Sequence, residues 1–124
     1  MNDVGLLCAS CMENIQFDLL MGNVDINMGS ILENAFAQNL KSNWFELHYF
    51  DSKKIGELDF VLQKGLSTEL LEIKSGKDFK KHPAMNHAMQ TEQWKFEHCI
   101  VFSKSNVEVE NGILYLPWYM VMFF

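Results

Sequence analysis

Arginine is absent from the 124 residues, and the ten lysines are outnumbered by sixteen acids, for a net charge of −6. A broad cationic face of the kind that grips nucleic acid unaided is therefore excluded. Cysteine is scarce: Cys8, Cys11 and Cys99 are too few and too scattered for a disulfide framework. Cys8 and Cys11 form a CxxC, but "GLLCASCMENI" reads as helix, and no second CxxC or CxxH accompanies it. Core packing explains that spacing better than zinc does. No run of about 20 apolar residues appears, so no transmembrane helix of ordinary length is expected. A signal-peptide pattern is also missing at the start, which makes a cytoplasmic location the expectation. Two prolines, no Pro/Gly-rich linker and no internal repeat leave a single domain over 1–124.

What is present is the composition of a packed globular chain, 48% hydrophobic and 21% charged. Its charge is segregated. Residues 1–52 carry one lysine against seven acids, whereas residues 53–81 carry seven of the ten lysines. Four of these, Lys74, Lys77, Lys80 and Lys81, fall in "KSGKDFKK". A solvated lysine face or a weak phosphate-contacting patch both fit that run.

Apolar positions at helical spacing predict a helix over 5–21 and another over "SILENAFAQNLKS", with Ser30 as N-cap and Leu32, Ala35, Phe36 and Leu40 inward. "NVDINMG" is a loop between them. "WFELHYFD", "GELDFVLQ" and "ELLEIKSG" read as three strands, and Pro83 opens a helix to about Phe96. "HCIVFS" is a buried strand, and "EVENGILYLP" is a hairpin turning at Asn111-Gly112, before an aromatic tail. The order helix, three strands, helix, strand predicts an α/β sandwich on a mixed sheet.

The second and third strands pose a problem of charge. Alternation puts Leu58, Phe60 and Leu62 on one face of "GELDFVLQ", with Asp59, Val61 and Gln63 on the other. If Gly65-Leu66 is a two-residue type II′ loop, Asp59 falls opposite Glu72 and Glu57 opposite Lys74. Facing carboxylates repel. A divalent cation held by both would remove the conflict, with Lys74 beside it to act on a water or a developing negative charge. The blander alternative is a Glu57–Lys74 ion pair at the rim, with Asp59 ending a strand. Glu33 also has a purely structural reading, since Ser30-x-x-Glu33 spells a capping box.

"ELDFVL" followed by "LLEIKSGK" resembles the acidic and E-x-K motifs of the PD-(D/E)XK nuclease superfamily. More narrowly, "NDVGLL", "NMGSILENAFAQNL", "GELDFVL" and "EIKSGK", in that order, are similar to a domain of unknown function. That domain lies C-terminal to the ATPase and winged-helix modules of many bacterial and archaeal AAA+ ATPases. The resemblance implies a restriction-endonuclease-like mixed β-sheet flanked by helices, with an αβββαβ core. It implies catalytic positions at Glu33, Asp59, Glu72 and Lys74, with Asp59, Glu72 and Glu33 as ligands for Mg²⁺. A further polar residue from the following helix is implied without a choice among Asn86, His87 and Gln90. The chain departs from the full-length pattern in having no G-x-x-x-x-G-K-[ST], so ATPase activity is not carried over.

Two functions follow as expectations: Mg²⁺-dependent phosphodiester cleavage of DNA, or a non-catalytic accessory module serving an AAA+ ATPase. DNA contact is expected through the Lys74–Lys81 cluster, and a membrane partner is not. The apolar tail "LPWYMVMFF" and the aromatic "NWFELHYF" segment suggest a homo-oligomer, with core completion the equal alternative for the tail.

Overall fold

The computed structural model describes residue 21 and residues 28–124. The expected first helix, the Cys8/Cys11 pair and the "NDVGLL" segment lie outside the described residues. Along the chain run α1 (Met28–Ser42), β1 (Glu46–Ser52), β2 (Gly56–Lys64), β3 (Ser67–Ile73), α2 (Pro83–Met89), β4 (His98–Ser103), β5 (Glu108–Glu110) and β6 (Ile113–Pro117). A 3₁₀ helix, Trp118–Phe123, follows. The six strands form one mixed sheet in the order β1-β2-β3-β4-β6-β5. Pairs β3/β4 and β4/β6 are parallel, and the rest are antiparallel. The fold is mixed α/β, with the expected αβββαβ order at its centre.

Each face of the sheet buries its own core. Phe36 and Leu40 of α1, with Val121 of the 3₁₀ helix, pack on Phe60, Leu62, Leu71, Ile73, Ile100 and Phe102. Phe36 meets Phe102 edge-on at 4.9 Å between ring centroids, a favoured aromatic geometry. On the opposite face Ala84, Met85 and Ala88 of α2 cover Leu58, Leu70, Val101, Ile113 and Tyr115. The tail is divided between core and surface: Val121 is buried, whereas Tyr119, Met122 and Phe123 are exposed.

Turn chemistry fixes the hairpins as read from the sequence. Gly65 has φ +65° and Leu66 is not left-handed, as a type II′ turn requires. The β2/β3 register pairs Lys64 with Ser67 and Phe60 with Leu71, which is the expected alignment. Asn111 and Gly112 are both left-handed, at φ 52° and 78°, giving the type I′ turn between β5 and β6.

Four expectations need correction. α1 already runs from Met28, so Ser30 lies inside its first turn and is not the N-cap. Ala35 is not part of the core under α1; Ala37 packs there instead. α2 ends at Met89, well short of Phe96. The chain beyond it carries Trp94 and Phe96 to the sheet, where Trp94 meets the Phe50 ring edge-on at 5.1 Å and packs against Phe96. Burial of two large aromatics outweighs further helix propensity there.

The fourth correction concerns β2. Pairing with β1 shifts between His48↔Val61 and Phe50↔Leu58, so Asp59 and Phe60 together oppose Tyr49. This is a β-bulge, and it changes the phase of alternation. Leu58 therefore joins the α2-side core while Phe60 and Leu62 stay on the α1 side. Leu58, Phe60 and Leu62 do not share a face.

Candidate functional site

The bulge sits where β2 and β3 part. Their ladder ends at Phe60↔Leu71, so Asp59 and Glu72 do not face each other as a regular pair. Asp59 Oδ2 instead accepts the Ile73 N–H at 2.7 Å. A main-chain carbonyl of β2 would have met that N–H had the ladder continued. Asp59 thus turns its carboxylate into the opening between the strands, leaving Oδ1 for another partner. Beyond this point β3 still follows β4, since Lys74 N–H donates to Phe102 O at 2.8 Å.

Glu72 and Lys74 share the parity of Leu70, on the α2 side of β3. Glu72 lies beside Val101 in the parallel register. Its side chain is only 6% exposed, and its Oε1 is ion-paired to Lys74 Nζ. Lys74 is 29% exposed, so its ammonium stands at the rim while the carboxylate is sunk. Glu72 Oε2 is buried without a hydrogen-bond partner among the described residues. Such an atom is costly, by about 1–3 kcal/mol for a neutral group and more for a charged one. The alternative Glu57–Lys74 rim pair is not formed, because the β2/β3 ladder ends at Phe60↔Leu71 and the Lys74 ammonium goes to Glu72. Trp118 Nε1 donates to Lys74 O at 3.1 Å, fixing the backbone at this point from the 3₁₀ helix.

Electrostatics link the four predicted positions. Burial pushes the Asp59 carboxyl up from 3.8 to about 6. Glu72 and Glu33 push the same way, while the Ile73 N–H and Lys74 oppose them. The Tyr49 hydroxyl is raised by burial and then by Glu33 and Asp59. Its ring also lies 5.2 Å from that of Phe60. Tyr49 is the site neighbour that the sequence reading missed. The β1/β2 register brings it opposite Asp59, and no pattern within "GELDFVLQ" records that pairing.

One open oxygen on each of two adjacent carboxylates suits a hard divalent cation, which often binds through one or two carboxylates plus water and substrate oxygens. Glu33 is felt at Asp59 as a neighbouring charge. Among the described residues, the three ligand-bearing side chains whose atoms all lie within 4.8 Å are Glu69, Glu97 and His98. Glu33, Asp59 and Glu72 are not drawn that close as a trio.

Of the polar residues after E-x-K, Asn86 Oδ1 lies 3.0 Å from His82 Nδ1, and His82 Nε2 lies 2.8 Å from Tyr115 Oη. His87 approaches Ile55 O at 3.4 Å. None of these contacts reaches Asp59 or Glu72. The lysine run is also partly neutralised. Lys80 pairs with Glu108 and Glu110, and Lys81 with Asp78. Within that cluster, Lys77 is the lysine without an ion pair among the described residues.

The arrangement defines a mixed α/β domain with an acidic, lysine-flanked notch at the parting of a central hairpin. The chain belongs to the family described as a domain of unknown function (DUF4143), whose profile matches residues 28–121, and which is usually found with AAA ATPases. No curated protein and no solved structure matches the chain.

Proposed function

We propose that this domain is a PD-(D/E)XK nuclease-like phosphodiesterase that cleaves DNA with Mg²⁺. The observation that carries the reading is Glu72 Oε2, buried and unpartnered next to a carboxyl as perturbed as that of Asp59. A fold does not leave two such groups together without cost, and perturbed carboxyls in a notch are what catalytic sites collect. The oxygens that would hold the cation are Asp59 Oδ1 and Glu72 Oε2. The chemistry that a cation supplies there is polarisation of a phosphoryl oxygen and activation of water. Ile73 N–H fixes Asp59 from behind, and Lys74 fixes Glu72 through Oε1. From the rim, the Lys74 ammonium orients the attacking water or stabilises charge developing on the phosphate. Glu33 adds negative potential without closing the ligand set.

With Lys80 and Lys81 tied to acids, the lysine run beside the notch keeps little free charge for holding a duplex. We assign that grip to an AAA ATPase partner, the kind of protein this family accompanies. The test is cleavage of a labelled duplex and of its single strand, with MgCl₂ or MnCl₂ against EDTA. Metal-dependent cleavage that disappears in Asp59→Asn and Lys74→Met, with both variants folded by circular dichroism, is the expected result. Cleavage that survives either substitution refutes the assignment.

A further inference from the structure

We propose a second divalent-metal site, formed by Glu69, Glu97 and His98 and selective for Zn²⁺ over Mg²⁺. It is separate from the notch at Asp59. Glu69 and Glu72 lie three residues apart on β3, about 10 Å along the strand, and odd spacing sends their side chains to opposite faces.

The fold itself brings the three side chains together. Parallel pairing of β3 with β4 sets Glu69 beside His98, and neighbouring strands are about 4.8 Å apart. Side chains at such a position project side by side, and His98 Nδ1 stands 3.0 Å from Glu69 Oε1. Glu97 is drawn to the same point by its main chain, whose N–H donates to Thr68 O at 2.9 Å. One donor atom from each of the three lies within 4.8 Å of the others. A cation about 2.1 Å from each donor needs separations of roughly 3–4 Å. Closing the set is therefore a matter of side-chain torsion in the exposed Glu97 and His98, with no movement of strand.

Charge supplies an independent reason. Glu69 is 9% exposed in a row of β3 whose other members, Leu71 and Ile73, are core. Burying a carboxylate is costly unless a cation compensates it. Among the described residues no lysine does so; its ion-pair partner is His98, which is charged only when protonated. With a neutral imidazole, Glu69 and Glu97 bring two carboxylate oxygens within 4.8 Å of each other, with the negative charge of the buried one left uncompensated. A dication balances both and also uses the imidazole nitrogen as it stands. The donor set determines the metal. Imidazole with carboxylates suits Zn²⁺ and its transition-metal neighbours, whereas Mg²⁺ prefers oxygen and retains its water. Three protein ligands leave a coordination position open to water or to a small anionic ligand.

The experiment is calorimetric titration of ZnCl₂ into the full chain carrying Cys8→Ser and Cys11→Ser. Those changes remove the CxxC thiols as competing ligands. One Zn²⁺ per chain is expected, with affinity lowered about tenfold or more by Glu97→Gln and by His98→Gln. Asp59→Asn should leave Zn²⁺ affinity unchanged, which separates this site from the proposed nuclease centre. Millimolar MgCl₂ should not displace the zinc. Zinc-induced shifts of the His98 ring signals in NMR, without loss of fold, give a second readout. Absence of stoichiometric binding overturns the proposal. So does binding unaltered by Glu97→Gln, since a Glu69–His98 ion pair alone would then account for the cluster.

Discussion

Asp59→Asn offers the sharpest test of the notch, because it should make the protein more stable. The Asp59 carboxyl is displaced from 3.8 to about 6. At about 1.36 kcal/mol per tenfold change in acidity, its ionised form is disfavoured in the fold by roughly 3 kcal/mol. Partial exposure trims that figure, so a gain of roughly 1–3 kcal/mol is expected on removing the charge. Asparagine keeps an oxygen for the Ile73 N–H, so the 2.7 Å bond need not be lost. The pH dependence has a definite sign. The folded state holds the Asp59 proton more tightly than the unfolded chain does. The favourable contribution of this group is therefore complete below about pH 3.8 and lost as pH rises through about 6. Asparagine does not titrate, so the variant's advantage should be absent near pH 3.5 and full at pH 8. For a domain of this size the gain corresponds to a rise in Tm of about 3–12 °C. Thermal unfolding by circular dichroism at both pH values, in EDTA, provides the measurement. Adding MgCl₂ should raise the Tm of the wild type and leave Asp59→Asn unmoved. A variant less stable than wild type at pH 8, or equally stabilised at both pH values, refutes the reasoning.

Three further outcomes follow from the same geometry. Lys74→Met leaves Glu72 buried with neither oxygen compensated and should cost roughly 2–4 kcal/mol in urea unfolding, while cleavage disappears. Trp118→Phe removes the donor to Lys74 O; a loss of about 1 kcal/mol, with cleavage reduced but present, is expected from parallel melts and assays. Gly65→Ala meets no atom within 4 Å of the added methyl, so its cost of about 1 kcal/mol should come from the left-handed backbone alone, and Gly65→Asn should recover part of it.

The hairpin was legible because its information is local. A glycine suited to a type II′ turn and two alternating runs suffice to set the β2/β3 alignment, and this placed Asp59 near Glu72 before any coordinates. The exact "HCIVFS" strand and the Asn111-Gly112 turn were legible for similar reasons. The bulge was not, because it arises from the mismatch of β2 with β1, and no residue type within "GELDFVLQ" announces it. Leu58 was therefore assigned to the wrong face; Tyr49 escaped notice because the β1/β2 register that sets it opposite Asp59 joins two separate segments. The placing of Lys74 among the carboxylates was legible too, since it pairs with Glu72; a contact with Glu57 was not formed, because the β2/β3 ladder ends at Phe60↔Leu71. The shortened α2 reflects tertiary burial of Trp94 and Phe96, which periodicity in a single segment does not record. The Glu69–Glu97–His98 grouping needed the parallel β3/β4 register, a pairing between segments far apart in the chain.

That parallel pairing also governs when the charges of the notch are felt during folding. The β2/β3 hairpin closes through a two-residue turn, and hairpins form in about 1–10 μs. Strand β4 begins only at His98, so docking it on β3 must first close the long connection through α2, an entropic barrier that local contacts do not lower. Until β4 arrives, Glu72 lacks its neighbour Val101, and both carboxylates remain in water. The repulsion between Asp59 and Glu72 therefore enters late, after the rate-limiting closure. In stopped-flow refolding, Asp59→Asn is expected to leave the folding limb in place and to slow unfolding, because its stabilisation belongs to the native state and not to the barrier. The site that strains the finished molecule thus imposes no delay on reaching it, and its cost appears as a shortened native lifetime.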